Sequence, residues 1–305
     1  MPKDSLLKGA LYILAAEFLL SAMAAIIKHL SQELPIEMIV FFRNFFGLLA
    51  LLPLLAHGGL SQLRTNRIRM HLLRGLTGVT AMYGFFFVIG NIPLTEAVLV
   101  KLTTPFFLPI ITFLWLGEAI RSNTKWAIVI GFIGVIFILR PGADNFEPLA
   151  IIGVFAAVFA SFAKVCIRRM ATTEPSIRIV FYFGLICSSV TAIPLIWSWQ
   201  TPSTETWFWL IGMGIIGSCG QILMTRGYQV ANPGQVGPYV YSSLIYASAF
   251  GWYFWGETPL LTTAIGCVFI IGAGLWNMKK PTTRQKQNDQ NTIASKDGEQ
   301  LTNKL

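Results

Sequence analysis

The 305 residues are 54% hydrophobic and 12% charged, a balance that excludes an ordinary soluble fold. The net charge of +9 would suit a nucleic-acid partner. The basic residues, however, lie between long apolar stretches, so they report membrane topology and anionic lipid instead.

A helix rises about 1.5 Å per residue, so crossing about 30 Å of hydrocarbon takes about 20 apolar residues. Ten segments qualify, at about 7–28, 36–56, 72–90, 94–116, 125–140, 149–169, 177–199, 207–227, 235–255 and 260–278. The first is too long for a removable signal peptide and lacks a small-residue cleavage site, so it reads as a signal anchor. Even-numbered connections and the two ends carry Arg64, Arg67, Arg69, Arg121, Lys125, Arg168, Arg169, Arg178 and a basic run from Lys279. The odd-numbered connections hold little beyond Lys28 and Arg140. The positive-inside rule then expects both termini in the cytoplasm. All nine tryptophans fall near span ends, as an interfacial belt requires. Past Lys280 the chain is polar, and 281–305 reads as a disordered cytoplasmic tail.

Polar groups at mid-membrane depth cost roughly 2.5–3.5 kcal/mol each on insertion scales, so each needs a reason. In span 1, Glu17 shares a helical face with Ser21, Ala24 and Lys28. A carboxylate there can pair with a cationic group of a substrate or exchange a proton; a buried lysine partner is the structural alternative. Arg43 in span 2 reads as a partner of a neighbouring helix end, and Arg74 and Arg226 as topology anchors. In span 4, Pro105 and Pro109 remove backbone bonds, freeing the Lys101 and Pro105 carbonyls beside Thr103 and Thr104. A broken helix is tolerated at this depth only against a cavity or other protein, so a polar wall is expected there. Lys101 is a candidate for an anionic group, or a partner for Glu17 or Glu96. Lys164 in span 6 reads as snorkelling to the interface. In span 9, Tyr239, Ser242, Ser243 and Tyr246 recur at helical spacing and form a hydroxyl-bearing aromatic face. That face suits a planar or cationic ligand, or interhelical hydrogen bonds. Cys166, Cys187, Cys219 and Cys267 stand singly, and no metal or cofactor motif is visible.

The chain repeats itself. At an offset of 140, Ser21 meets Ser161, Lys28 meets Arg168, Pro35 meets Pro175, and Phe41-Phe42 meets Phe181-Tyr182. At an offset of 139, Thr103-Thr104 meets Ser242-Ser243, and Gly117-Glu118 meets Gly256-Glu257. Two halves of five spans each, 1–143 and 144–280 with a hinge at Pro141-Gly142-Ala143-Asp144, must insert in opposite senses. The expected fold class is an all-α polytopic membrane protein with ten transmembrane helices in two inverted five-helix repeats. Glu118 and Glu257 end their helices, where the macrodipole disfavours an anion. They are expected to cap the next helix, at Ser122-Asn123-Thr124 and Thr258-Pro259, locking two hairpins; a gate latch is the alternative. The mismatches Glu17 with Ala157 and Lys101 with Val240 mark where function departs from symmetry.

Phe42-Arg43, Leu73-Arg74-Gly75, Ile92-Pro93-Leu94-Thr95, Pro105 and Leu116-Gly117-Glu118 follow in order through the first half. Gly131-Phe132-Ile133-Gly134-Val135 and Arg140-Pro141-Gly142 complete it. The second half gives Gly220-Gln221, Ala231-Asn232-Pro233, Pro238, Tyr241 and Gly256-Glu257-Thr258-Pro259. With these motifs the chain resembles the EamA-type members of the drug/metabolite transporter superfamily, over roughly 8–280. The resemblance implies a ten-helix carrier with a cavity lined mainly by spans 1, 3, 4, 6, 8 and 9, which adds Tyr83 and Gln221 as site candidates. It also implies a cargo of the amino acid, nucleoside-like, vitamin or cationic-drug kind. The nearest group includes S-adenosylmethionine and riboflavin carriers. Lys101 departs from the pattern, where a neutral residue is usual.

The resulting expectation is a secondary active transporter in a bacterial inner (plasma) membrane, working by alternating access on a small organic metabolite. Its substrate-binding candidates are Glu17, Ser21, Tyr83, Lys101, Thr104, Gln221, Tyr239, Ser243 and Tyr246, with Glu17 as proton-coupling group. Its partners would be the lipid bilayer and a small-molecule substrate, with a homodimer as a candidate assembly and no cofactor. The rival reading is a flippase, or flippase subunit, for a lipid-linked intermediate. An enzyme is disfavoured because His29, His57 and His71 are scattered over different connections.

Overall fold

Apolar side chains on every face of a segment drive it into lipid, where only a helix satisfies its own backbone. The computed structural model follows this rule: among the residues it describes (3–53, 63–117, 120, 122–139, 148–170, 173–230 and 237–278) there are helices and no strands. In chain order the helices are α1 (Lys3–Leu30), α2 (Ile36–Leu49), α3 (Ile68–Asn91), α4 (Leu94–Lys101), α5 (Thr104–Leu116) and α6 (Ser122–Leu139). They continue as α7 (Leu149–Met170), α8 (Ser176–Ala192), the single turn α9 (Leu195–Ser198), α10 (Thr204–Val230), α11 (Ser242–Trp255) and α12 (Leu261–Met278). A 3-10 segment, Gly237–Tyr241, leads into α11. The expected hinge at 141–144, the tail after Lys280 and Glu118 lie outside the described residues.

Among the described residues, five helical segments are long and apolar enough to cross a bilayer: Leu7–Leu30, Ile68–Asn91, Leu94–Trp115 (α4 with α5), Leu149–Ile167 and Thr204–Met224. Thr124–Ile138, Ile177–Ala192 and Leu261–Trp276 are apolar but shorter. The expected spans at 36–56 and 177–199 are truncated. The first ends as α2 at Leu49, and the second ends as α8 one residue before Ile193-Pro194, because proline cannot continue the ladder. The segment expected at 235–255 is two pieces. Its 3-10 part and the 14 residues of α11 together reach about 30 Å, since the 3-10 helix rises about 2.0 Å per residue.

The helices pair in a regular way. α1 lies chiefly along α10, α3 along α7 and α6 along α12; α2 packs on both α8 and α10, and α3 also on α8. Close approach is set by small residues. A Cβ added at Gly214, Gly217 or Gly220 of α10 would meet Phe46, Met23 or Leu20 at 2.4, 2.6 and 3.0 Å, so no side chain fits between α10 and the α1–α2 pair without movement. Local details recur down the chain. Pro35 and Pro175 precede α2 and α8 with ψ of 144° and 147°, and Gly117 and Gly256 end α5 and α11 at φ of 71° and 64°, a left-handed region suited to glycine.

Candidate functional site

The membrane interior is interrupted where the prolines predict it. α4 stops at Lys101, Leu102 and Thr103 make a tight turn, and α5 starts at Thr104 with Pro105 in its first turn. Threonine hydroxyls bond carbonyls at the break: the Lys101 carbonyl, whose helical partner Pro105 cannot supply, and the Val100 carbonyl, which also takes the Thr103 amide. Thr103 Oγ1 donates to Val100 O at 2.6 Å, and Thr104 Oγ1 donates to Lys101 O at 2.6 Å. The same device closes the other interrupted segment, where Ser243 Oγ donates to Val240 O at 2.8 Å. Each break is then clasped by a serine from another helix. Ser161 Oγ of α7 donates to Thr104 O at 2.9 Å, and Ser21 Oγ of α1 to Ser243 O at 3.4 Å.

Between the two breaks lies an open cavity of ≈ 760 Å³. Its polar lining is Glu17 and Ser21 from α1, Arg43 from α2, Lys101 from α4, Gln221 from α10 and Ser243 from α11, with Met82, Phe85 and Phe86 of α3 as an apolar wall. A second cavity of ≈ 1170 Å³ shares Arg43, Met82 and Gln221 with the first and continues past Arg74, Phe183 and Arg226. Glu17 is 2% exposed, and among the described residues no hydrogen bond or ion pair holds it. The charges of Lys101 and Lys164 bear on it.

Of the expected residues, Glu17, Ser21, Lys101, Gln221 and Ser243 come together on this wall; Thr104, Tyr83, Tyr239 and Tyr246 do not line it. Thr104 is 2% exposed and spends its hydroxyl on the broken turn. The Tyr83 hydroxyl is buried in packing without a hydrogen-bond partner among the described residues. Tyr239 belongs to the 3-10 segment and Tyr246 packs edge-on against Phe18, at 5.4 Å between centroids. The expected aromatic stripe is therefore split: the 3-10 turn, which rotates side chains differently from an α turn, takes Tyr239 out of register, while Tyr246 shares α11 with Ser243 but packs on Phe18. Lys164, expected to snorkel, is exposed and lines neither cavity, with its charge bearing on Glu17, Lys101 and Arg74. The lining residue assigned elsewhere is Arg43, which gives Nη1 to Asn44 Oδ1 at 3.2 Å while facing both cavities. The repeat held its signal: at the offset of 140 Arg43 meets Phe183, a mismatch of the same kind as Glu17 with Ala157.

A second polar cluster ties the end of α1 to the start of α4 and the end of α11. The Glu257 carboxylate forms an ion pair with Lys28 through Oε1, and Oε2 accepts the Leu94 amide of α4 at 2.7 Å. Lys28 also donates to Ile92 O at 2.9 Å and lies 5.4 Å from the Trp255 ring. This corrects the hairpin expectation for Glu257: the free amide that it caps opens α4, not the helix that follows it. A third cluster joins the 63–71 region to the 173–178 turn. Glu174 accepts from Thr65 Oγ1 at 2.9 Å and from Arg178 Nη1 at 2.9 Å, and lies 3.5 Å from His71 Nε2. Burial pushes the Glu174 carboxyl up, but the bonds from Arg178 and Thr65 and the Arg178 charge outweigh it and hold it below the usual carboxylate value.

Comparison with known proteins agrees with this architecture. The EamA-like transporter family model matches residues 7–140 and again 148–278. The chain is 33% identical to a pseudopaline exporter of Pseudomonas aeruginosa, over 90% of this chain and 96% of that one. It is 29% identical to an S-adenosylmethionine uptake transporter of Rickettsia bellii, over 82% and 86% of the two chains. It is 26% identical to a riboflavin transporter of Vibrio cholerae, over 87% and 91%. A solved crystal structure at 20% identity superposes with a TM-score of 0.61 over 90% of this chain and 96% of that one, so the fold is shared. An all-helical, multi-pass chain with these matches across its length belongs to the EamA-like transporter family.

Proposed function

We propose that the protein is a secondary carrier that moves a small organic metabolite across the inner membrane by alternating access. It would do so through ten spans arranged as inverted repeats, 1–143 and 144–280. The observation that carries this reading is the ≈ 760 Å³ cavity, whose polar wall draws Glu17, Arg43 and Lys101 from one half and Gln221 and Ser243 from the other. A site at the seam of two inverted halves opens to either side as the halves rock. The reciprocal clasps support the inversion: Ser21 of one half holds the break of the other, and Ser161 returns the contact. So do the matched glycine ends at Gly117 and Gly256.

With both termini cytoplasmic, the Lys28–Glu257 tie closes the outer end, while Arg74 and Arg226 line an inner vestibule. In that orientation the conformation is inward-open. Glu17 is the group we assign to proton coupling, because it is a buried carboxylate with no fixed partner among the described residues. The test is counterflow in proteoliposomes preloaded with S-adenosylmethionine, riboflavin, amino acids or other small metabolites. Saturable exchange of at least one is expected. Transbilayer movement of a lipid-linked intermediate, with no metabolite counterflow, would replace the carrier with a flippase.

A further inference from the structure

Charge along the two cavities is lopsided. Arg43 lines both, Lys101 the smaller, and Arg74 and Arg226 the larger. Lys164 of α7 lines neither cavity but is exposed, with its charge bearing on Glu17, Lys101 and Arg74, and Arg74 and Arg43 bear on each other. Against these five cations, the described lining residues include a single carboxylate, Glu17. No carboxylate among the described residues lies within 4.0 Å of any of the five. Structural cations in this protein are treated differently: Lys28 has Glu257, and Arg178 has Glu174.

The two guanidiniums deeper in the path retain donors. Arg43 makes one long bond to Asn44. Arg74 is held by its face, 3.8 Å from the Phe183 ring, and its buried Nε has no hydrogen-bond partner among the described residues. A planar fork of N–H groups fits a carboxylate with two parallel bonds. Like charges between low-dielectric walls repel, and an entering anion relieves that repulsion. Glu17 asks for the opposite sign, at one point of the wall only. A simple dicarboxylate would leave Glu17 opposed, and a phosphate ester would do the same. A cation such as the sulfonium of S-adenosylmethionine would meet five like charges for one partner.

Resting on the carrier reading of this same site, we infer that the cargo is a net-anionic amino polycarboxylate. Two or more of its carboxylates face Lys101, Arg43 and Arg74, with Lys164 adding its charge from outside the cavity wall, and a protonated amine faces Glu17.

The probes are iminodiacetate, nitrilotriacetate and glutamate, set against succinate, glycerol phosphate, riboflavin and S-adenosylmethionine. Each is tested for thermal stabilisation of the purified full chain at low and high salt. The amino polycarboxylates are expected to raise the melting temperature most, with an effect that shrinks as salt screens the cavity. Lys101→Gln and Lys164→Gln should each weaken that binding roughly tenfold or more, as loss of a desolvated charge partner does. Lys101→Arg should retain it, and Glu17→Gln should erase the preference for iminodiacetate over succinate. Stabilisation confined to the cationic, neutral or phosphorylated probes overturns the inference. So does wild-type binding by both lysine variants, or no stabilisation by any amino polycarboxylate. The carrier reading is judged separately, by counterflow of whichever compound binds: exchange of a cation would keep the carrier and discard the anionic cargo.

Discussion

Two carboxylates, Glu17 buried and Glu257 half-buried, show how this protein separates structure from chemistry. Glu257 is held by Lys28 and the Leu94 amide, whereas Glu17 has only distant charges. Removing one partner from a buried pair typically costs about 3–5 kcal/mol, since the remaining charge is left without compensation. Glu257→Gln is thus expected to destabilise the protein by about 3 kcal/mol, read as a lowered melting temperature, with most of the loss recovered in Lys28→Met/Glu257→Gln. Glu17→Gln should leave the melting temperature near wild type and flatten the pH dependence of uptake in proteoliposomes. Full pH dependence in that variant would remove Glu17 from the coupling step. Glu174 gives a third check. Its carboxyl is held below the ordinary value of about 4.3, so its contribution is fully present above that value and is lost as pH falls through the lower, folded one. The melting-temperature gap between wild type and Glu174→Gln should therefore be constant near neutrality and close only in acid below the usual carboxylate range.

Two interrupted elements, α4–α5 and the 3-10 segment with α11, position the cavity wall. Thr104→Val leaves the Lys101 carbonyl unbonded in the membrane and should cost roughly 1–3 kcal/mol, while Thr104→Ser should retain the wild-type melting temperature. The first interruption was legible in sequence, because a proline at 105 clashes with the carbonyl of residue 101, whatever surrounds it. The second was not. Nothing in Pro238-Tyr239-Val240-Tyr241 says that the turn is 3-10, so a stripe drawn at α spacing placed Tyr239 on the Ser243 face; Tyr246 shares α11 with Ser243 but packs against Phe18. Arg43 was legible through its mismatch with Phe183, but depth alone suggested a structural partner. Glu257 reaching Leu94 was illegible, since 163 residues separate them and only the packed bundle brings the two together.

At the scale of the whole molecule, the most extensive packing of α1 is with late segments of the chain, α10 and α11. The α10 glycines lie against it and Glu257 receives its last turn. Gly217→Leu, which drives a side chain into Met23, is expected to separate α1 from α10 and abolish both the melting transition and transport; a wild-type transition would show that the two helices need not touch. Accessibility labelling should place tags on the two termini on the same face of the membrane. The distance in sequence also has a temporal meaning. Lys28 enters the bilayer 229 residues before Glu257 exists. At about 5–20 residues per second of synthesis, the first helix waits roughly 10 to 45 seconds with an unmatched carboxylate and ammonium in or near lipid. Biogenesis thus requires a shelter for that helix, from the insertion machinery or from a nascent neighbour. Variants that weaken the Lys28–Glu257 tie should accumulate to lower levels, while the molecules that complete assembly are isolated with the lowered melting temperature given above.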